Sequence, residues 1–261
     1  MVSQNIFIPE YLRNSPFDLY NKSLINKLSL PSYWNTEDRA PHIRVLEDGV
    51  GLAYTGTQAY RPGRNWIDAS SIRADHPISN EVGIYYFEIE VIDKGERGCI
   101  GIGLTKGHIS LERMPGWEPE SIGYHGDDGL LYLYSGSGRK YGPLYDTGDI
   151  VGCGINYFDK TVFFTKNGIN LGVACNGLFY DGEIYPIVGM ISPREVVKAN
   201  FGQMPFKYNI TMHAKNIFAQ AAANKKVIDE VTEVIEERSE VIEERSEVSE
   251  VSEERLSQVI V

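Results

Sequence analysis

Between residues 41 and 206 the apolar side chains fall largely at every second position, and no helix-length stretch with a 3.6-residue period interrupts them. Strands suit this pattern, because successive strand side chains point to opposite faces. It is clearest at Ile84 to Val91, where Tyr85, Phe87, Ile89 and Val91 alternate with Tyr86, Glu88 and Glu90. Ile100, Ile102 and Leu104 alternate with Cys99, Gly101 and Gly103, and Val151, Cys153, Ile155 and Tyr157 with small or polar residues. Phe163-Phe164-Thr165 and Ile169-Asn170-Leu171 flank Lys166-Asn167-Gly168. Asn-Gly between apolar runs predicts a tight hairpin, since a type I′ turn needs φ > 0 at both central residues. Further strands are expected at 50–54, 130–134, 185–190 and 196–201. About ten short strands with turn signals between them predict an all-β, antiparallel, two-sheet sandwich rather than an α/β fold.

The flanks read differently. Residues 1–30 are polar with short apolar pieces and form an N-terminal arm. The domain, 31–210, opens on Leu30-Pro31-Ser32-Tyr33-Trp34, with the Trp34 ring as an anchor. Residues 211–226 contain the Ala-rich run Thr211–Asn224, expected to be a short helix or linker. From 227 to 261 there are 12 acidic and 3 basic residues, and Glu233–Ser239 repeats as Glu240–Ser246. Val227, Val234, Val241 and Val248 share one heptad position, but the matching position reads Val231, Arg238, Arg245, Ser252, so half the seam is polar. The acidic surplus also repels itself along a helix. The tail is expected to be solvated and partly helical or disordered, with self-association as the alternative.

Charge and motifs remove several function classes. Residues 1–226 carry 24 acidic and 22 basic residues, which leaves no basic excess for a nucleic acid. No apolar run approaches the roughly 18–20 residues of a membrane span, and residues 1–15 lack a secretory apolar core. Cys99, Cys153 and Cys175 fit no zinc spacing and read as core thiols of a reducing compartment, which points to the cytoplasm, with the nucleus also open. Gly101–Gly107 and Gly136–Gly142 are each one residue too long for a dinucleotide fingerprint, so glycines at strand ends and bulges account for them better. No Ser or Cys nucleophile has a partner that spacing would justify. The expectation is a protein that is not an enzyme and has no cofactor and no metal. His125, Asp127 and Asp128 in Tyr124-His-Gly-Asp-Asp-Gly129 leave a metal or lectin-like site as an alternative, against a polar turn capped by its carboxylates.

What remains are aromatic, Arg and Pro residues in loops, the types that dominate binding hot spots. They are Tyr60, Arg61, Pro62, Arg64 and Trp66; Met114 and Trp117; Tyr124, His125, Asp127 and Asp128; and Pro193 and Arg194.

Ser71-Ile-Arg-Ala-Asp-His-Pro-Ile78 followed by Gly83-Ile-Tyr-Tyr-Phe-Glu-Ile-Glu-Val91 resembles the SPRY domain, of the Ran-binding-protein-M type. Met114-Pro-Gly-Trp117, Gly123–Gly129, Gly148-Asp-Ile-Val-Gly-Cys153, Phe163–Gly168, Tyr185-Pro-Ile-Val-Gly189 and Ala199-Asn-Phe-Gly-Gln203 follow in family order. The resemblance implies a bent sandwich whose core holds Tyr85, Phe87, the Gly101–Leu104 strand and the Phe163–Leu171 hairpin. It also implies a non-catalytic adaptor that binds a short peptide segment of a protein partner through surface loops, the thirteen residues above marking those loops. The sandwich itself is expected to be monomeric. Proteins of this type usually continue into LisH, CTLH and CRA segments, which 227–261 does not resemble. A scaffold or substrate-recruiting subunit of a GID/CTLH-like ubiquitin ligase is the rival expectation.

Overall fold

A computed structural model describes residues 8–13, 29–57, 69–177, 182–229 and 232 of the chain. The loop residues Tyr60, Arg61, Pro62, Arg64 and Trp66, and the heptads beyond 232, lie outside the described residues.

Fourteen strands run through the described residues: β1 (Trp34–Arg39), β2 (Ile43–Val45), β3 (Gly51–Tyr54), β4 (Ser70–Ala74), β5 (Ile84–Lys94), β6 (Gly101–Lys106), β7 (Ser121–His125), β8 (Leu130–Leu133), β9 (Arg139–Lys140), β10 (Ile150–Asn156), β11 (Thr161–Lys166), β12 (Ile169–Asn176), β13 (Ile184–Met190) and β14 (Glu195–Asn200). They make two seven-stranded sheets, β1-β4-β13-β6-β7-β8-β9 and β12-β11-β10-β5-β14-β3-β2. The neighbours are antiparallel, with β13 against β6 at Ile187↔Gly103 and β10 against β5 at Cys153↔Phe87. This is the all-β sandwich the alternation predicted.

Apolar alternation fills the space between the sheets. Tyr85, Phe87, Ile89 and Val91 of β5 are fully buried, as are Ile102 of β6 and Phe164 of β11. Phe164 meets Tyr124 of the other sheet with ring centres 5.6 Å apart. Trp34 packs edge-on against Phe201 at 5.0 Å and donates its indole N–H to the Val50 carbonyl at 2.8 Å. The three cysteines are free and buried.

The second face of β5 is also interior along part of its length, because Tyr86 and Glu88 are buried. The chain after β14 returns across them: Phe206 lies edge-on to Tyr86 at 5.1 Å, and the Glu88 carboxylate accepts the amides of Lys207 and Tyr208 at 2.9 Å each. Part of the N-terminal arm joins this layer. Tyr11 and Leu12 are buried, and the Tyr11 hydroxyl accepts the Tyr86 amide at 3.0 Å. One expectation, that the whole hairpin is core, needs correction. Its turn is as expected, with Asn167 at φ +50 and Gly168 at φ +82 between the paired Lys166 and Ile169. Only its first arm is core, however. β12 is a sheet edge with irregular register, and Ile169 and Val173 are 69% and 57% exposed.

The chain divides into two compact units, Met1–Ala214 and Lys215–Val261. The Ala-rich segment is helical over 210–229, longer than expected. Asn209 caps its start by accepting the Met212 amide at 3.0 Å.

Candidate functional site

The Met114-Pro115-Gly116-Trp117 loop lies on a floor of glycines. An added Cβ at Gly123 of β7 would stand 2.2 Å from the Pro115 carbonyl oxygen, and one at Gly189 of β13 would stand 2.4 Å from Pro115 Cδ. At Gly101 of β6 it would meet His125 and the Met114 side chain. These glycines let a loop backbone lie against sheet backbone, a role beyond the strand ends and bulges expected from sequence. Gly116, at φ +88, turns the loop and donates its amide to Ser121 Oγ at 3.0 Å.

The platform fixes Trp117. Its ring is half-buried against a cluster of Ala69, Cys99, Met114 and Ile191. The Arg113 guanidinium lies 5.4 Å from the Trp117 ring centre and pairs with Glu118 at 2.9 Å. Tyr132 meets the other side edge-on at 6.3 Å. Ala69 is the residue at which the described chain resumes after 58–68.

His125 does not reach the surface. It is buried, stacks on Tyr132 at 4.2 Å, and its Nε2 lies 2.8 Å from the Pro115 carbonyl oxygen. A carbonyl only accepts, so Nε2 carries the proton. Burial pulls the imidazole pKa down to about 4, against the Pro115 hydrogen bond and the Asp128 charge. Tyr124 is fully buried and donates its hydroxyl to the Pro143 carbonyl. Met114 is buried too. These three support the loops and present no side chain to a partner, which corrects their expected place among contact residues. Strand phase explains it: Tyr124 sits on the inner side of β7, and His125 fills the space under Pro115.

Asp127 and Asp128 are exposed. Asp128 accepts the Leu130 amide at 2.9 Å and the Tyr132 hydroxyl at 2.6 Å. Asp127 accepts the Cys99 thiol at 3.4 Å. Although Asp127 touches solvent, protein packed round its carboxylate raises its pKa, and the neighbouring Asp128 charge adds to the rise. Pro193 is half-buried, and Arg194 is exposed in the left-handed region at φ +70. Beneath them Glu195 is fully buried, and its Oε2 accepts the amides of Ile191 and Ser192 at 2.9 Å each. Burial lifts the Glu195 pKa to about 8, against those amides and that of Cys99.

The structure therefore brings Trp117, Asp127 and Asp128 together through Cys99, Tyr132 and His125. Ser192–Glu195 joins them through Ile191, and through Ser192 Oγ, which accepts the Arg97 amide at 3.1 Å. Arg113, Tyr132 and Cys99 are not among the candidates the sequence offers, and Glu195 belongs to the 192–195 cluster without being one of its named contact residues. Glu195 had one signal: it stands in phase with the buried Val197 and Ala199 of β14. Among the described residues no group of three His, Cys, Asp or Glu side chains is placed to hold a metal ion. At His125, Asp127 and Asp128 the imidazole Nε2 faces the Pro115 carbonyl and Asp128 accepts the Tyr132 hydroxyl. No described helix is long and apolar enough to cross a membrane.

Comparison with known proteins gives this geometry a context. The SPRY domain family model matches residues 84–204. Ran-binding protein 10 of Danio rerio is 44% identical over 181 residues, covering 69% of this chain and 29% of that protein. The Ran-binding protein M homolog of Arabidopsis thaliana is 39% identical over 182 residues, covering 69% of this chain and 38% of that protein. The chain thus spans well under half the length of either relative. A crystal structure of a human SPRY domain superposes with a TM-score of 0.54 at 34% identity, covering 67% of this chain and all of that one.

Proposed function

The chain belongs to the SPRY domain family, a protein-interaction fold, and on that premise we propose that it is a non-catalytic adaptor that holds a short segment of a partner protein against the Trp117 platform. One observation carries the reading. A half-buried Trp stands on a backbone floor too tight to shift, beside two exposed carboxylates and an exposed Arg. Aromatic and Arg side chains supply most of the binding energy in protein interfaces, and a preformed surface lowers the ordering cost. Asp127 and Asp128 favour a basic or amide-rich segment. We place the adaptor in a reducing compartment, the cytoplasm with the nucleus also open, in keeping with three free buried thiols.

The test is affinity purification with mass spectrometry on the full chain and on Trp117→Ala, followed by binding of the recovered partner's segments to both. Loss of Trp117 should weaken binding by about 2 kcal/mol, some thirtyfold, while the thermal transition persists. Should Trp117→Ala unfold the domain, Trp117→Leu keeps the apolar packing and serves instead. Partners retained at full strength by a folded Trp117 variant would overturn the proposal.

A further inference from the structure

Among the described residues, five that are not glycine stand in the left-handed region: Glu120, Tyr134, Lys160, Asn167 and Arg194. Such a backbone is strained for a side chain with a Cβ, and it persists where the surroundings or a function require it. Four of the five are engaged within the protein. The Glu120 carboxylate pairs with Lys106 at 2.8 Å, and the Asn167 side chain donates to Asp149 at 2.7 Å and accepts the Ile150 amide at 2.8 Å. Tyr134 and Lys160 have partners as well. The Arg194 side chain is exposed, and it makes no hydrogen bond, ion pair or ring contact among the described residues.

The turn that carries Arg194 has no room to relax. Ser192-Pro193-Arg194-Glu195 has proline second and a positive φ third, and the Glu195 amide closes it on the Ser192 carbonyl at 3.4 Å. That is the pattern of a type II turn, whose third position suits glycine. The turn is pinned to residues 95–97: the Glu96 amide donates to the Pro193 carbonyl at 3.1 Å, and the Arg97 amide to Ser192 Oγ at 3.1 Å. An added Cβ on Gly95 would stand 2.3 Å from the Pro193 oxygen and 2.7 Å from the Glu195 nitrogen, so backbone lies directly against backbone. From within, the Glu195 carboxylate accepts the Ile191 and Ser192 amides at 2.9 Å each, and Ile191 belongs to the cluster that carries Trp117. Folding would favour glycine at 194. A long cation is held there instead, on a rigid turn tied to the Trp117 platform.

We infer that Arg194 receives one carboxylate of the partner segment, an aspartate or glutamate side chain. This rests on the peptide-binding reading above and makes it specific: the segment carries an acidic residue for Arg194 besides the basic or amide groups that suit Asp127 and Asp128. The guanidinium presents a planar fork of N–H donors that matches a carboxylate, and its hydrogen bonds to one are charge-assisted. The fixed turn sets where that fork starts, which lowers the ordering cost of binding. Arginine at 194 thus serves recognition at some expense of stability, so its removal should move the two in opposite directions. A residue with a purely structural role would lower both together.

The probe is the strongest peptide selected from a random-peptide phage library panned on the full chain, with binding read by calorimetry and stability by urea unfolding. The selected peptides should share an Asp or Glu whose change to Asn or Gln weakens binding about tenfold or more. Arg194→Gln keeps the strained backbone and removes only the charge. It should weaken the parent peptide equally, and the two changes together should add little. Added salt should weaken the parent complex more than the Arg194→Gln complex. Arg194→Gly changes the backbone as well as the side chain. It should lose the same affinity while its unfolding equilibrium constant falls about twofold to fivefold, because glycine relieves the left-handed conformation. Peptides that require Trp117 yet bind Arg194→Gln at parent strength, or an Arg194→Gly chain no more stable than the parent, would overturn the inference and leave the recognition surface standing. Peptides indifferent to Trp117, or a selection that yields none, would remove the surface itself and this contact with it.

Discussion

Gly123→Ala is the sharpest probe of the platform. Gly123 has no positive φ, so alanine brings no backbone strain of its own. The new methyl would stand 2.2 Å from the Pro115 oxygen, 2.6 Å from its carbon and 2.8 Å from its Cβ, where ordinary contact begins at 3.4 Å. The loop has to rise by roughly 1 Å, because the obstacle is backbone with no rotamer to change. The oxygen struck is the one that His125 Nε2 meets at 2.8 Å, so lifting it strands a buried imidazole N–H. Overpacking costs about 1–3 kcal/mol, and an unpaired buried donor about 1–3 kcal/mol more. Gly123→Ala should therefore lose about 2–6 kcal/mol.

The assay is urea unfolding of the full chain, with Gly136→Ala as control. Gly136 has ordinary φ and nothing within 4 Å of an added methyl, so its replacement should stay within about 0.5 kcal/mol of the parent. Fluorine NMR of the fluorotryptophan-labelled chain reads the second half of the argument, since Trp117 rides on the same loop. A Gly123→Ala chain as stable as the control, with an unmoved Trp117 resonance, would refute the account of the glycine floor and of the rigidity on which the proposed surface rests.

Other outcomes follow from the same structure. Glu88→Ala leaves the amides of Lys207 and Tyr208 and the Tyr86 hydroxyl without their acceptor; thermal and urea unfolding should show a loss of about 3 kcal/mol or more, and hydrogen exchange should place the opening at 201–210. Stability against pH has a defined shape. His125 falls from 6.5 unfolded to about 4 folded, so the unfolded chain binds more protons between those values and stability rises with pH there. Glu195 rises from 4.5 to about 8, so the folded chain holds the extra proton and stability falls with pH across that range. The two slopes oppose each other from about pH 4.5 to 6.5, and between 6.5 and about 8 the His125 slope is spent while the Glu195 slope continues. Urea midpoints across pH should show that decline in the parent chain and its absence in Glu195→Gln.

The sandwich was legible because its signal is local. A half-buried strand writes a period of two into the sequence, and Asn167-Gly168 writes its own turn. The residues of the second face were not legible in the same way. Tyr86 and Glu88 look like a polar, solvated face, and only the return of 206–208 over them makes them interior. That return depends on contacts about 120 residues apart along the chain, which no local pattern records. The same limit applies to the loops. Tyr124-His125-Gly126-Asp127-Asp128 is a polar run, but strand phase sends Tyr124 into the sandwich, the Met114–Trp117 loop covers His125 on the opposite face, and the carboxylates stay outside. Glu195 is charged and beside exposed Arg194, and only its phase with the buried Val197 marks it as interior.

The surfaces already covered sharpen the argument for the loop end. On the second sheet, the outer face of β5 at Tyr86 and Glu88 is occupied by Tyr11, Phe206 and Tyr208. Outside the first sheet, Leu111 packs with Ala40 and Ile187, and Pro115 lies on Gly123 and Gly189. The β12 edge is partly closed to strand addition, because Tyr141 and Arg139 donate to the Gly172 and Ala174 carbonyls and the Gly172 amide is taken by Asn170. An incoming strand would need those same groups. A partner binding without displacing protein has more to gain where loops from both sheets meet, which carry a half-buried aromatic ring, two exposed carboxylates and an exposed Arg. The glycine floor holds that end in place, and the exposed side chains above it contribute little to the packing beneath. On this argument, exchanging the exposed loop residues should change which segment is bound and leave the unfolding free energy within about 0.5 kcal/mol, whereas changes at Gly123, His125 or Pro115 should lower stability and binding together.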